Sequence, residues 1–339
     1  MLRPSLLILF SLWLPLLTAC DQAVSLPPPA ATLQPDNADA ASGWPRTLQT
    51  AAGPLTLHAP PQRIVSTSVT LTGALLSIDA PVVASATVRH SGGVTDKTGF
   101  FSQWADVALA RGVVPLYQGE VNADAVLEMQ PDLIVISATG GDSALKSRDL
   151  LATIAPVLVV NYDDRRWQDV AALLGEATGH EAQAAAISQQ FEADIRALHQ
   201  QARLPQDAVT AMVYYEDGSG ANIWTKESAQ GRLLQQIGLR LAPLPASLSA
   251  QSVALGRRDI VPVSGERFAE ALTGQSVLLF ATEASTVTEV LRNPLLKNLS
   301  AVQAQRIYAL GADTFRLDYY SARHLLARLG AQFATQSTP

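Results

Sequence analysis

Short apolar runs recur along the chain and alternate with longer segments whose apolar residues have helical spacing. Each run has the length of a short strand, and the runs lie at 63–66, 82–84, 133–136, 157–160, 211–214, 277–280 and 306–309. Near-continuous apolar strands that alternate with helices are typical of parallel sheets covered on both faces. The pattern therefore predicts an α/β fold with mostly parallel sheets.

One segment, 180–204, contains neither glycine nor proline and repeats apolar residues at spacings of three and four. This pattern predicts a single long helix with one apolar stripe. At ~1.5 Å per residue, a helix of about 24 residues is ~36 Å long, which suits a helix that joins two lobes. The stripe consists of Ala184, Ile187, Phe191, Ile195 and Leu198.

The order of these elements predicts two α/β lobes joined by that single long helix. We place the N-terminal lobe at 44–165, a connecting segment with the inter-lobe helix at 166–204, and the C-terminal lobe at 205–336. Residues 20–43 are rich in proline and alanine and lack lysine and arginine, so we interpret them as a flexible tether.

The first residues have the features of an export signal: Arg3, an apolar run at 6–17, and small residues before Cys20. The run is too short for a membrane span, which needs roughly 20 residues. The Leu-Thr-Ala-Cys ending resembles a bacterial lipobox. This resemblance implies removal of residues 1–19, lipidation of Cys20 and, because Asp21 follows, a periplasmic protein anchored to the inner membrane. The alternative is a plain secretory leader with an incidental cysteine.

Composition limits the class of function. Removing 19 of the 339 residues leaves 320, and 48% of the whole chain is hydrophobic while 16% is charged, so the chain is globular with a sizeable core. Its formal charge of −6 becomes −7 when Arg3 is lost, which argues against a nucleic-acid partner.

The motifs that mark common enzymes are absent from the sequence. It has no G-x-S-x-G, no P-loop and no G-x-G-x-x-G, and Gly218-Ser219-Gly220 has the composition of a turn. The five histidines are dispersed, and we interpret Asp163-Asp164 beside Arg165-Arg166 as a solvated charge group rather than a metal pair. Nothing in these residues therefore calls for an enzyme, and an exported α/β hydrolase is kept as the alternative from another class.

Five segments together carry a family resemblance: 61–68, 71–78, 131–144, 221–231 with its Trp-Thr pair, and 314–322 with Phe-Arg-Leu-Asp-Tyr-Tyr. They resemble the periplasmic ferric-siderophore binding proteins of ABC importers, over about residues 44–333. The resemblance implies the class III, helical-backbone architecture, a ligand cleft between the lobes, a monomer without cofactor, and delivery to an inner-membrane permease. A single helical connection also implies modest rearrangement on binding.

The resemblance further implies a tris-catecholate ligand such as ferric enterobactin, an anion of about three negative charges whose catecholates fill the iron's coordination sphere. Trp224 is the candidate for stacking, and Arg316 for forked donation to catecholate oxygens, with an ion pair to Asp313 or Asp318 as its alternative role. Haem, a hydroxamate siderophore or a corrinoid stays open as the ligand. Weaker ligand-binding candidates are Arg89, Lys226, Tyr117, Tyr319, Arg257 and Arg258.

Arg89 lies in the loop 87–98, where the family supplies a cation, but it does not match the family position. Members of the family present an acidic residue at the tip of each lobe to arginines of the permease. The resemblance makes Glu266 the candidate in the C-terminal lobe and Asp142 the candidate in the N-terminal lobe.

Overall fold

The computed structural model of the protein describes residues 43–163, 165–254 and 258–335. The predicted leader, Cys20, nearly all of the tether and Arg257 lie outside the described residues. A two-stranded antiparallel hairpin, β1 (Arg46–Thr50) and β2 (Gly53–Leu57), opens the described part of the chain.

The N-terminal lobe is built on a five-stranded sheet in the order β5-β4-β3-β6-β7, and all of its neighbouring strands are parallel. Four of its strands coincide with predicted apolar runs, and β6 and β7 are buried along their whole length. The strands are β3 (Ile64–Ser66), β4 (Val82–Thr87), β5 (Val114–Gln118), β6 (Leu133–Ser137) and β7 (Val157–Val160). The helices of this lobe are α1 (Val69–Ser77), α2 (Ala105–Ala110), α3 (Ala123–Glu128) and α4 (Arg148–Leu151).

The C-terminal lobe has a mixed sheet in the order β10-β9-β8-β11-β12. Strands β8, β11 and β12 are parallel, as predicted, whereas β9 and β10 pair antiparallel. Gly218-Ser219-Gly220 contributes to the turn between β8 and β9, where Asp217 Oδ1 accepts from Ser219 N at 2.9 Å. The strands are β8 (Val209–Tyr214), β9 (Gly220–Trp224), β10 (Ile260–Ser264), β11 (Ser276–Leu279) and β12 (Ile307–Ala309). The helices are α7 (Ala229–Gln236), α8 (Ala246–Ala254), α9 (Glu266–Ala271), α10 (Ala284–Arg292) and α11 (Ser300–Gln303).

The predicted long helix is α6 (Glu181–Gln201), which follows α5 (Trp167–Thr178) and connects the two sheets. It has 21 residues and ends before the predicted boundary, because Ala202 is extended and bridges Ala334. Four members of the apolar stripe are buried, and Ile187 is partly buried. The last helix, α12 (Tyr319–Gln332), packs against α6 and α1.

One hydrophobic core extends from the N-terminal sheet through α5, α6 and α12 to one face of the C-terminal sheet. Leu75, Phe191, Phe280 and Leu325 are fully buried members of this cluster. A rotation of one lobe against the other would therefore expose apolar surface. Across the described ranges, no helix combines the length and the apolar character needed to cross a membrane.

Candidate ligand-binding cleft

A cavity of about 910 Å³ lies between the two lobes. Its N-terminal wall comes from α1, which follows β3, and from the loops after β6 and β7, at the carboxyl edge of the parallel sheet, where open α/β sheets bind ligands. Its C-terminal wall comes from the end of β9, the start of α7, the start of β10 and the segment before α12. The lining residues include Thr70, Thr139, Gly140, Asn161, Tyr162, Asn222, Ser228, Gln230, Phe315 and Leu317.

Trp224 provides the aromatic part of the C-terminal wall. It is the last residue of β9 and pairs in register with Ile260 of β10, which fixes its position. Its ring lies 6.0 Å from that of Phe315 and 6.4 Å from that of Phe280. Because Trp224 is only 6% exposed, most of its ring is already packed against protein. Trp167, the first residue of α5, lines the cavity as well.

The cavity wall is rich in guanidinium groups. Four arginines and three acidic residues occur among its described lining residues, whereas the whole chain has a formal charge of −6. Arg232 is oriented by the segment that precedes its helix, because its Nε donates to the carbonyl of Glu227 at 3.1 Å. The cleft is thus less negative than the rest of the surface. The arginines are Arg165, Arg232, Arg258 and Arg316, and the acids are Asp163, Glu227 and Asp259.

Arg316 lies in the segment between β12 and α12. Its Cζ is 4.9 Å from the ring centroid of Phe315 and 5.6 Å from that of Tyr162. The two carboxylates considered as alternative partners are engaged elsewhere. Asp313 pairs with His324 at 2.6 Å and with Arg328 at 2.5 Å, and Asp318 caps α12. The guanidinium therefore contacts aromatic rings and lines the cavity.

Tyr162 is buried on the N-terminal wall, and its hydroxyl donates to Asp142 Oδ1 at 2.6 Å. Asp142 Oδ2 accepts from Ser68 Oγ at 2.5 Å and from Thr70 N at 3.1 Å, at the start of α1. Burial raises the pKa of Tyr162; the Asp142 carboxylate raises it further, and the Arg316 guanidinium lowers it only in part. Tyr162 is therefore a neutral donor to Asp142.

The part of the chain that the structure describes contains no cluster of three histidine, cysteine or acidic residues arranged to hold a metal ion. The groups on the described cavity wall are guanidinium, carboxylate, hydroxyl, amide and aromatic groups. Such a wall suits an anion with aromatic surfaces whose own groups satisfy any metal it carries.

A family model described as "Periplasmic binding protein" matches residues 84–314. The chain belongs to the periplasmic binding protein family. It is 51% identical over 293 residues to the ferric enterobactin-binding periplasmic protein FepB of Escherichia coli O6:H1 (strain CFT073), and the alignment covers 86% of this chain and 92% of that relative.

Solved structures extend the likeness to the fold of this periplasmic binding protein. The structure of holo-ViuP has a TM-score of 0.78 at 36% identity and covers 86% of this chain and 96% of its own. SirA of Staphylococcus aureus, solved with staphyloferrin B, has a TM-score of 0.66 at 18% identity, with 86% and 100% covered, and shows the fold alone. The predicted family and the class III architecture with lobes linked by α6 are confirmed, and the chain is a transport component rather than an enzyme.

The cleft of this periplasmic binding protein brings together three of the predicted ligand-binding residues. Trp224, Arg258 and Arg316 all line the cavity. Lys226 is exposed and is not among the lining residues. Arg89 is exposed in the loop after β4 and is likewise absent from the wall.

The two predicted tyrosines lie away from the wall. Tyr117 belongs to β5, and its buried hydroxyl has no hydrogen-bond partner among the described residues. Burial raises the pKa of Tyr117 to about 12. Tyr319 opens α12 and packs its ring 5.7 Å from that of Trp167, with Arg323 at 5.5 Å on the ring. Both tyrosines therefore pack within the protein and do not line the cavity.

Asp142, the predicted permease contact of the N-terminal lobe, is engaged by residues of its own lobe. Asp142 is half-buried, and its two oxygens accept three hydrogen bonds inside the N-terminal lobe, so it does not stand free at a lobe tip. Glu266 is exposed at the first position of α9, as an acid that meets a partner protein must be.

Tyr162, Arg165 and Arg232 are among the cavity residues that escaped the sequence interpretation. Tyr162 and Arg165 follow directly after β7, a position that would have pointed to the carboxyl edge of the sheet. The charge group that we interpreted as solvated in fact contributes Asp163 and Arg165 to the cavity wall. Arg232 lies one turn inside α7, and nothing in its local sequence distinguishes it from an ordinary surface arginine.

Proposed function

We propose that this periplasmic binding protein captures ferric enterobactin or a related tris-catecholate complex in the inter-lobe cleft and delivers it to an inner-membrane ABC permease. The observation that carries the proposal is the 51% identity to a ferric enterobactin-binding protein over 86% of the chain. The four arginines and the tryptophans of the cavity wall support it, because catecholates offer anionic oxygens and flat rings.

The negative charge of the ligand is complementary to the arginines of the cleft, although the whole chain is itself negative. Surface charges are screened over ~8 Å at physiological salt. Two opposite unit charges ~4 Å apart near a protein surface attract by ~4 kcal/mol before desolvation is subtracted. Arg258 and Arg316 on the cavity wall therefore outweigh the diffuse negative field for a trianion that enters the cleft.

A hydroxamate complex is the second candidate ligand. It is favoured by 24% identity over 277 residues to the iron(3+)-hydroxamate-binding protein YxeB of Bacillus subtilis. A ferric tris-hydroxamate is neutral, so it would make little use of four guanidinium groups. Haem is less favoured, because the described lining residues include no histidine, and the hydroxyl of the lining Tyr162 already donates to Asp142.

The experiment that tests the proposal is a titration of tryptophan fluorescence with ferric enterobactin, ferrichrome as a tris-hydroxamate, and haem. Trp167 and Trp224 line the cavity, so a bound iron chromophore quenches them. We expect saturable quenching by ferric enterobactin that weakens at high salt, and no saturation with the other two. Saturation by ferrichrome, or a saturable shift of the haem Soret band on adding the protein, would contradict the proposal.

For the permease contact we propose Glu266 and, in place of Asp142, Asp124. Both are exposed acids in the first turn of a short helix. Helix α3 precedes β6, which pairs with β3, the strand of that sheet that comes first in the chain. Helix α9 likewise precedes β11, which pairs with β8, the first strand in the chain of the other sheet. The two acids thus occupy equivalent places in the two lobes.

Anchoring through Cys20 is a separate proposal, supported by the Leu-Thr-Ala-Cys ending and by Asp21. A lipid anchor would hold the binding protein close to its permease. Mass spectrometry of the mature N-terminus tests it: we expect a diacylglyceryl-modified Cys20, and an unmodified cysteine or cleavage elsewhere would exclude the anchor.

A further inference from the structure

Tyr162 lies between two charged side chains. One is Arg316, on the C-terminal wall of the cavity, and the other is Asp142, in the N-terminal lobe that carries Tyr162 itself. Its ring centroid is 5.6 Å from Arg316 Cζ, and its hydroxyl donates to Asp142 Oδ1 at 2.6 Å. Arg316 comes from the segment before α12, and Tyr162 follows β7, so the contact joins the two sides of the cleft.

The position of the Tyr162 ring is strongly determined. Asp142, which holds its hydroxyl, is itself held by Ser68 Oγ and by the backbone N–H of Thr70 at the start of α1. Gly140 closes over the same hydroxyl in the left-handed region at φ +78°, and a Cβ at this position would collide with the oxygen. Only glycine therefore leaves space for the ring in this orientation.

Arg316 has a long side chain that loses considerable freedom when a ligand fixes it. In the structure it is attracted to two rings, those of Phe315 and Tyr162, before any ligand is bound. Contact with rings leaves the N–H donors of a guanidinium available to an anionic acceptor. A ring held at the cleft thus reduces the cost of ordering the cation on binding.

We propose that Tyr162 is a positioning residue for Arg316, held in place by Asp142 and Gly140. The inference rests on the proposed function, in which Arg316 donates to catecholate oxygens. It assigns to Asp142 a role inside the ligand site, through Tyr162, instead of a role at the permease.

A double-mutant cycle tests the proposal, with ferric enterobactin as the probe and fluorescence quenching as the measurement. We expect Tyr162→Leu to weaken binding about 10-fold and Tyr162→Phe, which keeps the ring but not the hydroxyl, to weaken it about 3-fold. In the Arg316→Ala background, Tyr162→Leu should change the affinity by less than about 2-fold, because the group it positions is gone. The same 10-fold loss in both backgrounds would overturn the proposal, since it would mean that Tyr162 acts without Arg316.

Two further measurements separate failure of this inference from failure of the proposed function. If the unmodified protein does not bind ferric enterobactin, the proposed function is wrong. The positioning of Arg316 can still be tested without ligand, from the ¹⁵N–¹H resonance of its Nε. That resonance is assigned as the one that disappears in Arg316→Lys. That resonance should shift in Tyr162→Leu and not in Tyr308→Leu, whose ring packs on Phe333; an unchanged resonance would overturn the inference. If Tyr162→Leu does not fold, Gly140→Ala displaces the ring with both side chains present and should show the same dependence on Arg316.

Discussion

Gln103 Nε2 donates a hydrogen bond to Asp318 Oδ2 at 3.3 Å, where the N-terminal lobe meets the start of α12. Asp318 is the N-cap of α12 and accepts from Ser321 N at 2.9 Å. Gly73 of α1 leaves the space for this carboxylate, because a Cβ there would collide with Asp318 Oδ2. Asp318 is 3% exposed, and burial raises its pKa from 3.8 to about 6, against the opposing hydrogen bonds of Ser321 and Gln103. The contact between the lobes therefore includes a carboxyl group whose ionisation is costly.

Replacing Asp318 with asparagine should remove a pH dependence of stability. A pKa that is raised in the folded state means that the folded protein binds the proton more tightly than the unfolded chain. The contribution of Asp318 is thus most favourable below pH 4 and declines as the pH rises through about 6. This pH-dependent contribution of Asp318 to the free energy of unfolding is on the order of 2–3 kcal/mol. We expect Asp318→Asn, which keeps the N-cap oxygen, to gain stability relative to the unmodified protein at pH 7 and not at pH 4, as measured by urea unfolding.

Asp313→Asn is the matched control of opposite sign. Burial opposes ionisation of Asp313, but its hydrogen bonds from His324 and Arg328 outweigh burial and lower its pKa. Its contribution is therefore present above pH 4 and lost as the pH falls below its folded pKa. Asp313→Asn should cost stability at pH 7 and less at pH 3. If Asp318→Asn and Asp313→Asn changed the pH dependence of stability in the same direction, the opposite pKa shifts of the two carboxyl groups would be contradicted.

The apolar runs predicted the buried strands because a strand covered on both faces needs apolar residues throughout. Strand β5 was missed because it is the exposed edge of its sheet and contains Pro115, so it lacks an apolar run. Strand β9 was missed because Asn222 interrupts it. The end of α6 was predicted too late because pairing of Ala202 with Ala334, at the far end of the chain, stops the helix.

Trp224 and Arg316 could be named as candidates from residue type and segment alone, and both line the cavity. The role of Asp142 depends on Ser68, Thr70 and Tyr162, which are distant in sequence. Local sequence shows an acidic residue after a glycine-rich turn and does not reveal these partners. A short-range pattern therefore predicts an exposed loop acid in place of an internal acceptor.

The arginines of the cleft should contribute unequally to binding. We expect Arg316→Ala to weaken ferric enterobactin binding by about 10- to 100-fold, the value of a hydrogen bond to a charged group, and Arg258→Ala by less. Lys226→Ala and Arg89→Ala should have small effects, because neither residue lines the cavity. Arg292→Ala, an exposed arginine at the end of α10, is the control. Equal losses in Arg292→Ala and Arg316→Ala, measured by quenching titration, would rule out a specific cationic site.

Trp224 should couple binding with stability. Because its ring packs on Phe280 and Phe315, Trp224→Ala should cost about 3–5 kcal/mol of unfolding free energy as well as ligand affinity. Trp224→Phe retains part of the packing and should be more stable than Trp224→Ala. It should still lose much of the ligand-induced quenching. Trp44→Phe, near the start of the described chain, should keep the quenching. Full quenching in Trp224→Phe would show that Trp224 is remote from the ligand.

The lobes should move little on binding. A single helix, α6, links the sheets, and the core that includes Phe191 and Leu325 is shared between them. We expect crystal structures with and without ferric enterobactin to superpose, over both lobes together, to within about 2 Å in Cα positions. A rotation that separates Gln103 from Asp318 would contradict this expectation, because that hydrogen bond lies where the lobes meet.

Charge reversal should separate the permease contact from the ligand site. Glu266→Arg and Asp124→Arg change exposed acids in the first turns of α9 and α3. We expect both to reduce uptake of ferric enterobactin by cells while the purified variants bind the ligand normally. Glu270→Arg, an exposed acid on the same helix as Glu266, is the control and should transport normally.

Asp142→Arg should behave differently from both of these reversals. It removes the acceptor of Ser68, Thr70 and Tyr162 and places a cation at the N-terminus of α1, where the helix dipole is positive. We expect a loss of roughly 2–4 kcal/mol in unfolding free energy, together with weaker ligand binding. If Asp142→Arg instead folded and bound ligand normally but blocked uptake, Asp142 would be the permease contact after all, and Asp124→Arg should then transport like the unmodified protein.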